Sequence, residues 1–170
     1  IWLIRPDGSG LRQFTGGETS DHTPRWRPDG QALAFVSTRS GKPQVYTIPV
    51  DGGEARQLTT LSTGASQPVW SPGGKAIAFV SAVFPEFSHQ PFPESDRLNK
   101  EKLDAREKSK VKARVITSLL YRHWDSWVDG FRQHLFVVAV GADGHPAGDP
   151  RDVTPGENDA VPTSSTFAAD

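Results

Sequence analysis

The chain has 170 residues, including 16 Gly and 14 Pro, and it contains no Cys and no Met. This share of turn-forming residues argues against a fold of long helices, whereas a hydrophobic content of 35% is sufficient for a buried core and argues against extensive disorder. The formal net charge of −1 gives no general reason to expect a nucleic acid or an anionic membrane as a partner, and the lack of Cys excludes disulfides and thiol chemistry.

The chain repeats itself at an offset of 44 residues. Residues 1–15 align with 45–59, and residues 24–37 align with 68–81 without a gap, while a weaker third copy covers 135–154. A period of about 40–45 residues is that of a four-stranded β-propeller blade. The sequence therefore predicts an all-β fold, a partial β-propeller of about two and a half blades with one long, partly helical insertion.

Strand and turn signals recur at equivalent places in the copies. Residues 32–37 and 76–81 are short apolar runs bounded by turn residues, as expected for buried strands. A Pro-Asp-Gly or Pro-Gly-Gly turn precedes each run, and Asp-Gly pairs at 7–8 and 51–52 predict hairpins.

Trp26 and Trp70 occupy equivalent positions, two residues before the Pro of each turn. We expect both indole rings to pack between neighbouring blades, and stacking on a ligand is the alternative.

These signals divide the chain into parts of blades. Residues 1–15 supply the end of one blade, 24–59 a full blade, 68–154 a blade with an insertion at 82–134, and 157–170 the lead into the next blade. A closed propeller takes typically four to eight blades. We therefore expect a fragment that begins in mid-blade, with open blade edges through which copies could self-associate.

The insertion adds 46 residues between the second and third strands of its blade. Residues 95–112 are rich in charge and predict a solvated helix or a mobile segment, with Ser95 as a helix cap and Asp104 paired to Lys108. A role in recognition is the alternative for this segment. Residues 113–121 predict a strand.

The aromatic and charged stretch that follows supplies the candidate substrate-binding residues: Arg122, His123, Trp124, Asp125 and Trp127. A Trp face attracts cationic groups, and Asp125 or Asp129 could hold a free α-amine by a charge-assisted hydrogen bond. The structural alternative is that both Trp cover a blade edge, Arg122 pairs with Asp125, and Asp129-Gly130 forms a hairpin turn.

Motifs for catalysis are missing from the sequence. It contains no Gly-x-Ser-x-Gly nucleophile elbow, so a Ser/His/Asp triad of the α/β-hydrolase kind cannot be assembled. The five His lack metal-ligand spacing, and the Gly- and Asp-containing stretch at 141–149 lacks the alternating acidic ligands of a Ca²⁺ loop and predicts a widened hairpin turn. We expect no catalytic residues, no metal and no cofactor in this chain.

Two motifs carry a resemblance to known proteins. The pattern Trp26-Arg-Pro-Asp-Gly30, followed by Gly-Gly-Glu-Ala-Arg-Gln-Leu-Thr at 52–59, resembles the propeller repeat shared by TolB and the prolyl oligopeptidase family of serine peptidases. The segment 110–137, above all Tyr-Arg-His-Trp-Asp-x-Trp-x-Asp-Gly at 121–130, resembles the acylaminoacyl-peptidase-like and dipeptidyl-peptidase-V-like branches of that family.

The resemblance implies a C-terminal α/β-hydrolase domain of the same parent protein as the partner of this propeller, and short peptides as substrates. The chain would be the non-catalytic part that restricts access to the serine of an exopeptidase acting at peptide N-termini. The alternative is a TolB-like protein-binding module with no peptidase activity. The compartment stays open, and a periplasmic or secreted parent is compatible with the sequence.

Overall fold

The computed structural model describes residues 1–111, 113–116, 122–123 and 126–160. The strands are β1 (Trp2–Leu3), β2 (Arg12–Gln13), β3 (Asp21–Trp26), β4 (Ala32–Ser37), β5 (Gln44–Pro49), β6 (Arg56–Gln57), β7 (Ser66–Trp70), β8 (Ala76–Val83), β9 (Arg122–His123), β10 (Ser126–Trp127), β11 (Arg132–Ala139) and β12 (Arg151–Asp152). A 3₁₀ turn covers Pro85–Phe87, and helix α1 covers Glu94–Lys108.

Two four-stranded antiparallel sheets form the body of the described structure. The first has the order β3-β4-β5-β6, and the second has the order β7-β8-β11-β12. Strands β1 and β2 pair with each other, as do β9 and β10. Each large sheet is a meander apart from the insertion between β8 and β11, which confirms the predicted all-β, partial-propeller fold class.

The main core lies between the facing sides of the two sheets. Ala34 and Val45 of the first sheet pack in one cluster with Ile77, Phe79 and other buried side chains of the second. Burial of this apolar surface, at about 25 cal/mol per Å², is what holds one sheet on the next.

A second cluster on the other side of the first sheet repeats this arrangement 44 residues earlier. Leu33 and Phe35 occupy the positions that Ile77 and Phe79 occupy in the second sheet, and side chains near β1 and β2 cover them. The cross-strand ring stack is repeated as well, because Phe35 lies 5.9 Å from Tyr46 and Phe79 lies 5.6 Å from its partner on β11. The sequence repeat is therefore a repeat of the packing surface.

The two equivalent Trp residues differ in their surroundings. Trp70 is 9% exposed, lies in the main core and donates its indole N–H to the carbonyl oxygen of Arg25 at 3.1 Å, so its predicted packing between sheets is confirmed. Trp26 is 53% exposed, and the expectation that it would pack likewise is wrong. Leu3 and Phe14 pack against Leu33 and Phe35 of the first sheet, and Trp26 lies outside this cluster.

The predicted turns before the buried strands are present. Gly30 has φ +72° and donates to the Arg27 carbonyl oxygen, and Gly74 has φ +65° and donates to the Ser71 carbonyl oxygen, both at 2.9 Å. Positive φ at this position strains side chains other than Gly, which explains why both copies carry it.

The insertion leaves and re-enters the second sheet at a single point. Strands β8 and β11 stay paired as far as Val83 and Arg132, inside the range 82–134 predicted for the insertion. Beyond this pair, the rings of Phe84 and Phe131 stack with their centroids 4.4 Å apart.

Helix α1 forms within the charge-rich segment, but two local expectations for this segment are wrong, and the strand expected at 113–121 is tested only in part. Ser95 is not the cap, because the helix begins at Glu94 and its N-cap, Pro93, makes no side-chain hydrogen bond. Asp104 forms its ion pair with Lys100, at 3.0 Å and one turn before it, whereas the expected partner Lys108 lies one turn after it. Residues 113–116 are not assigned to a strand, and residues 117–121 lie outside the described part of the chain.

No helix among the described residues is long and apolar enough to span a membrane.

The contrast between the two Trp predicts unequal effects of the same substitution. Trp70→Ala should lower the free energy of unfolding by about 3–5 kcal/mol, since it removes a large buried ring and a hydrogen bond. Trp26→Ala should change it by less than about 1 kcal/mol, because an exposed ring has little surface to lose. Urea unfolding of both variants checks this, and equal losses would contradict the arrangement of the sheets.

Candidate functional site

The insertion is held on the second sheet by a buried polar contact. Asn99 of α1 is buried, and its Oδ1 accepts a 2.8 Å hydrogen bond from the backbone N–H of Phe84, just after β8. Its Nδ2 donates to the carbonyl oxygen of Ser95 at 2.8 Å. Because an unpaired buried amide is costly, this pairing fixes which side of α1 faces the sheet.

Cationic side chains of α1 lie on the aromatic rings at the base of the insertion. Lys102 Nζ lies 4.1 Å from the centroid of the Phe84 ring, and the Arg106 guanidinium lies 4.6 Å from it. Lys102 also forms an ion pair with Glu86 of the 3₁₀ turn. The helix thus docks through cation–π and polar contacts, where an apolar stripe would be usual.

The first turn of α1 is tied to the loop between the two sheets. Asp96 Oδ1 accepts hydrogen bonds from the backbone N–H and the hydroxyl of Ser62, at 2.8 and 2.9 Å. A carboxylate accepting two hydrogen bonds forms a stronger link than a neutral pair. Helix α1 is therefore anchored to the inter-sheet loop at one end and to Phe84 further along.

The end of the insertion is a tight turn held by two Arg side chains. Asp129 and Gly130 both have positive φ, +50° and +77°, and close the turn expected at this pair. Arg106 donates to the carbonyl oxygen of Asp129 at 2.8 Å. Arg114 binds the Asp129 carboxylate with Nε at 2.9 Å, and this hydrogen bond holds the pKa of the carboxyl below its ordinary value.

Trp127 lies at the centre of a cationic surface. Its ring is 41% exposed, and the guanidinium groups of Arg114 and Arg122 lie 4.6 and 5.8 Å from its centroid. Its strand β10 pairs with β9 in the register that sets Trp127 opposite Arg122. Hydrogen bonding of Arg114 to Asp129 fixes the guanidinium that lies nearer to this ring.

The structure thus places three of the five predicted binding residues. Arg122 and His123 form β9, and Trp127 ends β10, whereas Trp124 and Asp125 lie outside the described residues. The proposed pairing of Arg122 with Asp125 is therefore untested, and substrate binding by the five residues stays a prediction. The Asp129 carboxylate already has Arg114 as its partner, which disfavours the suggested capture of a free α-amine.

The sequence reasoning missed Arg106 and Arg114. The sequence predicts Arg106 as one of the solvated charges of the helix and Arg114 as part of a strand. Their contacts with the Asp129 turn span 23 and 15 residues, and no local pattern indicates pairings at such separations.

A buried His connects β11 to β12 and to the chain after β12 through hydrogen bonds. His134 on β11 is fully buried, with Nδ1 2.6 Å from Asp152 Oδ2 and Nε2 3.0 Å from the carbonyl oxygen of Gly156. A carbonyl oxygen can only accept, so Nε2 carries a proton. The N–H of Gly156 donates in turn to the hydroxyl of Ser88, which connects the chain after β12 to the start of the insertion.

A cleft of about 450 Å³ opens beside this network, with Phe92 and Phe136 among its apolar lining and Asp149 and Asp152 among its polar lining. Across the described ranges, no three or more His, Asp and Glu side chains come together in a way that could hold a metal ion.

Removal of the Asn99 amide should weaken the docking of α1. We expect Asn99→Ala to lower the free energy of unfolding by about 1–3 kcal/mol, because the buried Phe84 N–H loses its acceptor. Ala has the higher helix propensity, so this loss cannot come from the helix itself. Lys100→Ala, on the exposed side of α1, serves as the control and should have a much smaller effect in the same urea titration. An equal effect of the two would contradict the assigned docking.

The Arg114–Asp129 pair should show a defined pH dependence. The pKa of Asp129 is lowered in the folded state, so the ionised carboxylate adds to the free energy of unfolding above the ordinary Asp pKa of about 4. This stabilisation is lost as the pH falls through the pKa of Asp129 in the folded protein. Asp129→Asn keeps a residue that tolerates positive φ, so it removes little besides the charge.

We expect the free energy of unfolding of the wild type to exceed that of Asp129→Asn by less than about 1 kcal/mol at pH 7, since the pair is partly exposed. The difference should vanish near pH 2, as checked by thermal unfolding at both pH values. Arg114→Gln should reproduce the pattern, and a difference that persists at low pH would assign the effect to the backbone of the turn.

Comparison with known proteins finds relatives of two kinds. A family model described as TolB beta propeller domain matches residues 1–92. A protein named dipeptidyl-peptidase 5 from Porphyromonas gingivalis is 32% identical over 139 residues, which cover 81% of this chain and 18% of that protein. A TolB homolog from Chlorobium luteolum is 46% identical over 48 residues, which cover 28% of this chain and 11% of that protein.

Two solved structures share the fold. The putative TolB from Agrobacterium tumefaciens has a TM-score of 0.53 at 19% identity, covering 90% of this chain and 40% of that chain. The acylaminoacyl peptidase of Pyrococcus horikoshii has a TM-score of 0.54 at 11% identity, covering 91% of this chain and 20% of that chain. Together with the sequence matches, they confirm the predicted resemblance, and the chain spans about a fifth of the length of each peptidase.

Proposed function

Because the chain belongs to the TolB beta propeller domain family, we propose that it is the non-catalytic propeller portion of a serine exopeptidase that acts on short peptides from their N-termini. In this proposal, a C-terminal α/β-hydrolase domain of the same parent protein carries the Ser/Asp/His triad, and the propeller restricts access to it. The chain itself supplies no nucleophile, since its sequence has no Gly-x-Ser-x-Gly elbow.

One observation carries this proposal: the likeness to a peptidase extends beyond the repeat. The family model ends at residue 92, whereas the match to dipeptidyl-peptidase 5 covers 139 residues and so must include part of the insertion. The match to the TolB homolog covers 48 residues. Among the sequence matches, the insertion is thus the feature that favours the peptidase over the TolB-like module.

Helix α1 and the base of the insertion suit a gating role because several contacts hold them in place. The insertion leaves and re-enters the sheet at the Phe84–Phe131 stack, and α1 is held by Asn99 and by the Asp96–Ser62 contact. A segment held at several points can narrow an entrance without being displaced by each incoming peptide. Exclusion and orientation, not chemistry, are then the contributions of this chain.

The alternative function, a TolB-like protein-binding module, is favoured by the family model itself. Self-association through open blade edges does not depend on which function is correct, and it stays a prediction. The open reading frame separates the two functions, since a downstream Gly-x-Ser-x-Gly with later Asp and His supports the peptidase and a stop codon soon after residue 170 contradicts it.

The gating role is tested by removing the insertion from the full-length peptidase. Val83 and Arg132 are paired, so an Asn-Gly two-residue turn can replace residues 84–131 and close the β8–β11 hairpin. We expect kcat/KM for a 20-residue peptide to rise about tenfold relative to a dipeptidyl substrate, because a wider entrance admits longer chains.

The dipeptidyl substrate is the internal control, and its kcat/KM should stay within about twofold of wild type. An unchanged ratio in a folded, active variant would contradict gating. A wild-type protein that cleaves neither substrate would contradict the peptidase proposal and favour the TolB-like module.

A further inference from the structure

The second half of the insertion differs in charge from the rest of the chain. Residues 106–130 contain six Lys and Arg against three Asp and Glu, a net charge of +3 in a chain whose total is −1. Such a concentration of positive charge attracts anionic groups over about a Debye length, near 8–10 Å at physiological salt.

Apolar side chains are exposed among these charges. Val115 is 88% exposed, Val111 and Ile116 are exposed as well, and they follow or precede Lys or Arg in the sequence Lys-Val-Lys-Ala-Arg-Val-Ile at 110–116. Arg114, the neighbour of Val115 in the chain, lies over the half-exposed Trp127 ring, so apolar and cationic side chains occur together here. Trp and Arg are the residue types that contribute most to the affinity of protein interfaces.

The Arg side chains at the centre of this surface are held in place by the protein. Arg114 is fixed by its hydrogen bond to Asp129 and lies over Trp127, and Arg106 is fixed by the Asp129 carbonyl oxygen. The hydrogen bond of Arg106 goes to this uncharged carbonyl oxygen, and the Glu86 and Asp129 carboxylates lie close enough to interact with its charge. The Arg114–Asp129 contact also shows that the guanidinium lying over Trp127 can bind a carboxylate.

We propose that this surface, formed by Arg106, Arg114, Arg122, Val115 and Trp127, binds an acidic segment of a separate polypeptide chain. Acidic side chains of such a segment complement the guanidinium groups, and its apolar side chains complement Val115 and Trp127. Exposed Val and Trp side chains favour a polypeptide over a nucleic acid, which would offer mainly phosphates to this surface. The inference does not depend on the peptidase proposal.

The experiment measures binding of a fluorescein-labelled seven-residue peptide of alternating Glu and Val by fluorescence anisotropy with the 170-residue protein. We expect saturable binding at 50 mM salt that weakens at 300 mM salt, and no binding of the matched Lys-Val peptide. The double variant Arg106→Gln/Arg122→Gln should raise Kd at least about fivefold.

A matched control removes two positive charges from another part of α1. Arg97→Gln/Lys100→Gln should change Kd by less than about twofold, since these side chains pair with Glu94 and Asp104 on the helix surface. Because Arg106 also contacts Phe84, Val115→Ser provides a second variant whose exposed position leaves the fold intact, and it should raise Kd about twofold or more.

Several results would overturn the proposal. The first is an equal loss of affinity for the Glu-Val peptide in the control and test variants. The others are equal binding of the Glu-Val and Lys-Val peptides, and no binding of the Glu-Val peptide at 50 mM salt. Tighter binding to vesicles with anionic lipid than to the peptide would assign the surface to a membrane. Dimerisation that is lost in Arg106→Gln/Arg122→Gln would assign it to a second copy of this chain.

Discussion

The packing of one sheet against the next through a repeated set of apolar side chains is the interaction on which the molecule depends. Ile77 and Phe79 fill the main core, and Leu33 and Phe35 fill the equivalent cluster one repeat earlier. A single four-stranded sheet has two faces to cover, so each sheet is stable only when a neighbour covers it. The insertion and the loops are attached to a body that this stacking creates.

The attachment of the insertion follows a different chemistry from the stacking of the sheets. Its helix has charged residues on most of its surface and docks through Asn99, through cations over Phe84, and through the Asp96–Ser62 hydrogen bonds. Directional contacts of this kind require particular partners in particular places, whereas apolar packing tolerates many. The position of α1 on the sheet is therefore more closely defined than its polar composition suggests.

Sequence patterns predicted the features whose causes are local or periodic. They predicted the repeat, the Gly30 and Gly74 turns and the Asp129-Gly130 turn. Positive φ favours particular residue types, and alternating burial gives a periodic pattern, so both can be recognised from neighbouring residues. The Arg114–Asp129 pair joins residues 15 positions apart, so it leaves no such local pattern. The exposure of Trp26 was missed for a related reason, since burial depends on what lies opposite a residue as well as on its place in the repeat.

The stacked rings of Phe84 and Phe131 have a consequence for how such a blade can change over evolution. They bring the two ends of the insertion together, so the length of chain between them has little effect on the sheet below. The entropy of closing a loop grows only with the logarithm of its length, and doubling it costs about 0.6 kcal/mol. The end of the β8–β11 hairpin is thus a permissive site for grafting, where segments of very different size could be exchanged on an unchanged scaffold.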